Sequence, residues 1–161
     1  MINVEELLKL LKRKNIDFLC GVPDSVLKEF SNLIKSYKSF RHVVAANEGN
    51  AIGVGVGFYL STKKIPCIYF QNSGLGNAIN PLASLSHSKV YSIPALLVIG
   101  WRGSPNTKDE PQHKAKGLIT KKLLSLLKIK SCVLRNINDL KKLEKIIIYA
   151  KKFTMEQFMI L

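Results

Sequence analysis

Acidic residues are scarce in this chain: 11 Asp and Glu stand against 25 Lys and Arg, a formal net charge of +14 over 161 residues. Cysteine is scarcer still, with three residues and no C-x-x-C pair, which excludes a disulfide-stapled scaffold and a cysteine-built zinc ribbon. Cys20, Cys67 and Cys132 each stand alone in apolar surroundings and are read as small buried hydrophobes. No apolar run approaches the roughly 18 residues of a bilayer-crossing helix; the longest, 93–101, has the length of a strand. There is one tryptophan, no aromatic stacking pattern and no recognised nucleic-acid motif, and the lysines are scattered instead of forming a block. The expectations are therefore no nucleic acid and no membrane as partner. The first fourteen residues carry Glu5 and Glu6 on an amphipathic pattern, unlike a secretory signal or an acid-poor transit segment, so a cytoplasmic location is expected. The basic balance reads first as a lysine-rich solvated surface, with an anionic cofactor, substrate or partner as the further readings.

What the sequence does contain is an alternation of short apolar runs with helical spacings. Asn3 is a candidate cap for a helix with Glu5 and Glu6 in its first turn. Strands are expected at 16–20, 42–46, 65–70, 93–100 and 131–134, with a possible sixth at 157–161. Helices are expected after a cap at Asp24 or Ser25, then over 48–60, 76–85, 118–127 and 137–152, and 101–117 reads as a long polar loop. The strands are continuous apolar runs, the pattern of a parallel sheet covered on both faces. The fold class is thus one three-layer α/β/α domain over 1–161 with a mainly parallel, roughly six-stranded sheet. Gly49, Gly53, Gly55 and Gly57 each cost the 48–60 helix about 1 kcal/mol relative to alanine. Close approach of another backbone, a helix or a cofactor would offset this.

Ligands of such sheets bind beyond the carboxyl ends of the strands. Those ends hold Gly21-Val22-Pro23-Asp24-Ser25, Asn47-Glu48-Gly49-Asn50, Gln71-Asn72-Ser73-Gly74-Leu75-Gly76-Asn77 and Trp101-Arg102-Gly103, the last leading to Asp109-Glu110-Pro111-Gln112-His113. Four successive ends rich in carboxylates, amides, glycine, arginine and histidine point to a site. Glu48, entering a glycine-rich helix, reads either as a buried carboxylate able to share a proton with a nitrogen base or as a helix-dipole carboxylate. Asp24 reads equally as a helix cap, Arg102 as an oxyanion grip or a partner of Asp109 or Glu110, and Gln71 to Gly74 as a pocket or a plain strand-to-helix turn.

These strings, with Ala46-Asn47-Glu48-Gly49-Asn50-Ala51 and the continuation to Pro81, resemble the thiamine-diphosphate-dependent 2-oxoacid decarboxylases, nearest the phosphonopyruvate and sulfopyruvate decarboxylases. The resemblance runs to about Ala150 and implies the pyrimidine-binding domain. It implies that Glu48 contacts the aminopyrimidine nitrogen of thiamine diphosphate, and that Gln71, Asn72, Ser73 and Gly74 line the ring's pocket. Asp24 and His113 would handle protons, with His113 on a mobile loop, while Arg102 and Ser25 would meet the substrate. The implied reaction converts phosphonopyruvate to phosphonoacetaldehyde, with sulfopyruvate decarboxylation or a non-catalytic remnant of the fold as alternatives. In that family the diphosphate is held through Mg2+ by a second domain marked by Gly-Asp-Gly, which this sequence lacks; a diphosphate-binding β subunit or domain is the expected partner, and self-association is expected too. No metal ligand is assigned to the chain itself.

Overall fold

The structure, a computed structural model, describes the backbone of residues 3–153 and 158–160 and the side chains of residues 3–149. Six strands form one wholly parallel sheet: β1 (Phe18–Gly21), β2 (Arg41–Val44), β3 (Cys67–Gln71), β4 (Leu96–Gly100), β5 (Lys130–Cys132) and β6 (Phe158–Ile160), in the order β2-β1-β3-β4-β6-β5. Alternate residues of the central strands serve opposite cores, which is why their sequences are apolar throughout. Leu19, Cys67, Tyr69, Leu96 and Val98 face helices α1 (Val4–Arg13), α2 (Lys28–Ser36) and α6 (Ile137–Phe153). Cys20, Ile68, Phe70, Leu97 and Ile99 face α3 (Glu48–Thr62), α4 (Leu75–Pro81) and α5 (Pro111–Leu126). Three layers result, as expected.

The chain leaves β1 towards β2 on one side, and β3 lies on the other. The direction of winding reverses between β1 and β3, so a crevice opens between the loops that follow them. Those loops are the Gly21 to Ser25 and Gln71 to Gly74 segments.

Local physics accounts for most boundaries. Asn3 caps α1, its Oδ1 accepting from the amides of Glu5 (2.9 Å) and Glu6 (3.2 Å), as its sequence position suggested. The 76–85 helix is instead two pieces, α4 and a π-helical turn at Leu82–Ser86, preceded by a 3-10 turn at Asn72–Gly74. Pro81 has no N–H for the carbonyl of Asn77, and the ladder changes register at that point.

Several expectations need correction. The 101–117 segment is not loop throughout: α5 begins at Pro111, whose fixed φ suits the first helical position, and His113 lies in the first turn of that helix, not in a loop. Gly117, the last residue of the expected loop, is buried inside α5, where the Gly103 backbone crosses so closely that any Cβ would collide with the Gly103 carbonyl. β2 is an edge strand with Val43 and Val44 exposed, not a strand buried on both faces. β5 sits one to two residues earlier than expected. Cys20 and Cys67 are fully buried, but Cys132 is only partly so. Of the glycines in α3, Gly49 and Gly55 do face close neighbours, Asn77 and Ile68, whereas Gly53 and Gly57 face open space. The sixth strand is present at Phe158–Ile160; residues 157 and 161 lie outside the described residues.

Candidate active site at the carboxyl ends of the strands

Glu48 opens α3 but does not cap it. That role belongs to Asn47, whose Oδ1 accepts from the amide of Asn50 at 2.9 Å. Glu48 is left to project across the neighbouring 3-10 turn, where its Cγ, Cδ and Oε1 fill the volume that a side chain at Gly74 would need. Its Oε2 accepts from Asn77 Nδ2 at 2.8 Å, while Oε1 has no protein donor. Gly49 lets this approach happen, since a Cβ there would stand 3.0 Å from the Asn77 carbonyl. Four residues spread over thirty positions thus hold one half-buried carboxylate. Asn77 sits inside a motif singled out in the sequence, but nothing in its position along the chain announced it as the partner of Glu48.

Asp24 holds the loop after β1. Its Oδ1 accepts from the amides of Val26 (2.6 Å) and Leu27 (3.3 Å), capping the turn that precedes α2 and not α2 itself, which starts at Lys28. Its Oδ2 is buried with no hydrogen-bond partner. Gly21, at the root of this loop, has no Cβ because the Tyr69 ring and carbonyl occupy that space. Burial pushes the Tyr69 phenol up to about 12, with the charge of Asp24 adding to the effect. Burial and Lys35 lower the pKa of His42. His42 Nε2 and the Tyr69 hydroxyl share a 2.7 Å hydrogen bond. Ser25 is exposed beside Asp24.

The turn after β3 divides its labour. Ser73 Oγ donates to Gln71 Oε1 at 2.7 Å, and both side chains stay half-buried at the crevice. Asn72 turns inward: its Nδ2 donates to the Arg102 carbonyl and to Thr120 Oγ1, each at 3.0 Å, and its Oδ1 accepts from the Arg102 amide at 3.0 Å. It ties the ends of β3 and β4 to α5, and its amide is fully engaged by the protein.

Arg102 pairs with Asp109. Its Nε donates to Asp109 Oδ2 at 2.9 Å and its Nη2 to Oδ1, a bidentate pair. Asp109 also accepts from the amides of Gly103 and Glu110, each at 2.9 Å, and the Arg102 guanidinium holds its carboxyl well below the usual range. Only the Nη1 edge of Arg102 lies outside the pair. Behind this hairpin, His113 has a buried Nδ1 without a partner. Two of the expected site residues, Asp24 and His113, therefore each keep one buried polar atom unsatisfied. Such atoms are uncommon, and each calls for an explanation. Among the described residues, no group of three or more His, Cys, Asp or Glu could hold a metal ion.

The family model described as thiamine pyrophosphate enzyme, N-terminal TPP binding domain, matches residues 3–123. A phosphonopyruvate decarboxylase of Streptomyces viridochromogenes is 37% identical over 139 residues, which are 86% of this chain and 34% of that protein. The sulfopyruvate decarboxylase subunit alpha of Methanocaldococcus jannaschii is 42% identical over 120 residues, 74% of this chain and 68% of that subunit. The chain thus spans about a third of the length of the first relative and two thirds of the second. Benzoylformate decarboxylase from Polynucleobacter necessarius superposes with a TM-score of 0.77 over 99% of this chain and 29% of its own, at 18% identity, a likeness of fold. On the family match and the identity with the alpha subunits, this chain belongs to the thiamine pyrophosphate enzymes, as their N-terminal TPP-binding domain.

Proposed function

We propose that the chain is the pyrimidine-binding part of a decarboxylase acting on phosphonopyruvate and releasing phosphonoacetaldehyde. The observation that carries this reading is the placement of Glu48: a carboxylate freed from capping, seated over Gly74 and oriented by Asn77, with Oε1 still open. Ser73 and Gly74 leave room for a polar heterocycle beside Glu48, and Asp24 and His113, in the segments that follow β1 and β4, each keep an unsatisfied polar atom. When bound, thiamine diphosphate supplies the electron sink for loss of carbon dioxide. Glu48 Oε1 would hold the proton shared with the ring nitrogen, Asn77 would keep that carboxylate from rotating, and Gln71 and Ser73 would flank the ring. Asp24 Oδ2 and His113 Nδ1 would accept or return protons at the substrate carbon. Arg102 Nη1 and Ser25 would meet the phosphonate oxygens.

The diphosphate and its Mg2+ would be held by a β subunit or domain that pairs with this chain. An exposed apolar stripe on α5, with Leu118 65% and Leu126 78% accessible, supports such a partner. Two copies of the assembly would associate through the same chain. A cytoplasmic enzyme is the reading consistent with these substrates. Sulfopyruvate is the second candidate substrate, favoured by the 42% identity to a protein named as its alpha subunit.

The test combines this chain with a diphosphate-binding partner, thiamine diphosphate and magnesium, and follows loss of each oxoacid. Turnover in the mixture that falls about 100-fold or more with Glu48→Gln supports the reading, on the scale of a lost proton-transfer group. Turnover unaffected by Glu48→Gln overturns the role given to Glu48, and a folded chain inert with both acids makes it a non-catalytic remnant.

A further inference from the structure

A second cleft lies far along α3 from Glu48, beyond the opposite ends of the strands. Its volume is about 810 Å³, within the usual range for sites that take small organic ligands. Val56 and Ile93, 7% and 4% exposed, form the floor, with Tyr59, Leu60, Leu85 and Tyr91 around them. One cation stands at the rim: Lys63 Nζ, 5.6 Å from the centre of the Tyr59 ring, with no carboxylate in salt-bridge range among the described residues.

Two backbone features and one buried hydroxyl lie along or beside the cleft wall. Lys63 and Ser92, which both line the cleft, hold left-handed conformations at φ 59 and 52, although neither is glycine. Lys63 does so as the C-cap of α3, where left-handed residues commonly end helices. Leu85 reaches the cleft from the π-helical turn Leu82–Ser86, a geometry found mostly as single turns and often at functional sites. At the end of the same turn, Ser86 Oγ is buried without a hydrogen-bond partner.

From these observations we infer that the α3–π-turn cleft is a binding site for a small amphipathic anion, with an aromatic or branched apolar body against Val56, Tyr59, Leu85 and Ile93 and its negative group on Lys63. The charge argument selects this occupant. A neutral apolar ligand would leave Lys63 unanswered, and a polar anion would leave the apolar floor wet. Nothing in this inference depends on the chemistry at Glu48, which lies at the other end of a fifteen-residue helix, about 20 Å long.

The experiment titrates the full chain with anilinonaphthalene sulfonate, an aromatic monoanion, and with uncharged phenylnaphthylamine, reading fluorescence and amide chemical shifts. Saturable one-to-one binding is expected, with shifts at residues 56–63 and 85–93. Lys63→Met should weaken the sulfonate about tenfold, the scale of one charge-assisted hydrogen bond, and leave the neutral probe unchanged. Tyr91→Ser, at a position 69% exposed and thus safe for folding, should weaken both probes. Equal sulfonate affinity in wild type and Lys63→Met overturns the inference, as do shifts confined to the α5 stripe or to a partner-contact surface.

Discussion

The Glu48 carboxylate occupies the space that a side chain at position 74 would need. Glycine at 74 is therefore a requirement set by a residue 26 positions earlier. Gly74→Ala must expel that carboxylate or displace the 3-10 turn beneath it, at about 2 kcal/mol for a small-to-large change in a packed place. The expected outcome is a fall in Tm of roughly 4–8 °C, by calorimetry, for a domain of this size. The double variant Glu48→Ala/Gly74→Ala should recover most of the loss, because the collision is with that one side chain.

Asn72 tests the partition of roles within its turn. With three hydrogen bonds made by a side chain 4% exposed, Asn72→Ala strands the Arg102 backbone groups and leaves Thr120 Oγ1 with only its bond to the Lys116 carbonyl. A loss of about 2–3 kcal/mol is expected from buried groups left unpaired. Urea unfolding should show it as a lower midpoint with an unchanged slope. Gln71→Ala, at the half-exposed crevice, should leave the midpoint nearly unmoved.

Acid stability carries its own signature. Asp139 accepts from Lys142 Nζ and from the amides of Arg135 and Asn136, and these contacts lower its pKa to about 2. A depressed carboxyl stabilises the fold above its unfolded value near 3.9 and loses that contribution as pH falls through its folded value. Between about pH 4 and pH 2 the urea midpoint of the wild type should therefore drop. Asp139→Asn should flatten that drop while lowering the midpoint at neutral pH. Asp109, depressed further by Arg102, should contribute at still lower pH.

Thiol chemistry should separate the three cysteines. Burial raises Cys20 to about 12 and Cys67 well above its ordinary value, so neither presents a thiolate at neutral pH. Cys132 is raised less and is partly accessible. Iodoacetamide at neutral pH, followed by peptide mass spectrometry, should modify Cys132 first. Cys20 and Cys67 should react only in denaturant.

Much of the fold was legible because the central strands are apolar without interruption and end on glycines and amides. The site segments were legible for the same reason, since a sheet of this kind places them together. What stayed hidden depends on partners distant in the chain. Only the packed structure shows that Asn77 holds Glu48 or that Asn72 faces inward. The polar 111–117 stretch is helical, with Gly117 set against the Gly103 backbone, a contact invisible in the local sequence. The exposure of β2 followed from its edge position, which composition does not encode.

The crossing of Gly103 over Gly117 has a mechanical meaning. Trp101 Nε1 donates to the Gly117 carbonyl at 3.0 Å, and the Gly103 backbone lies against both His113 and Gly117. The loop bearing Arg102 and the helix bearing His113 are thus pinned at two points and turn as one lever. A bulky residue introduced at 117, out of reach of any ligand, would be felt first as a change in the distance between that guanidinium and that imidazole.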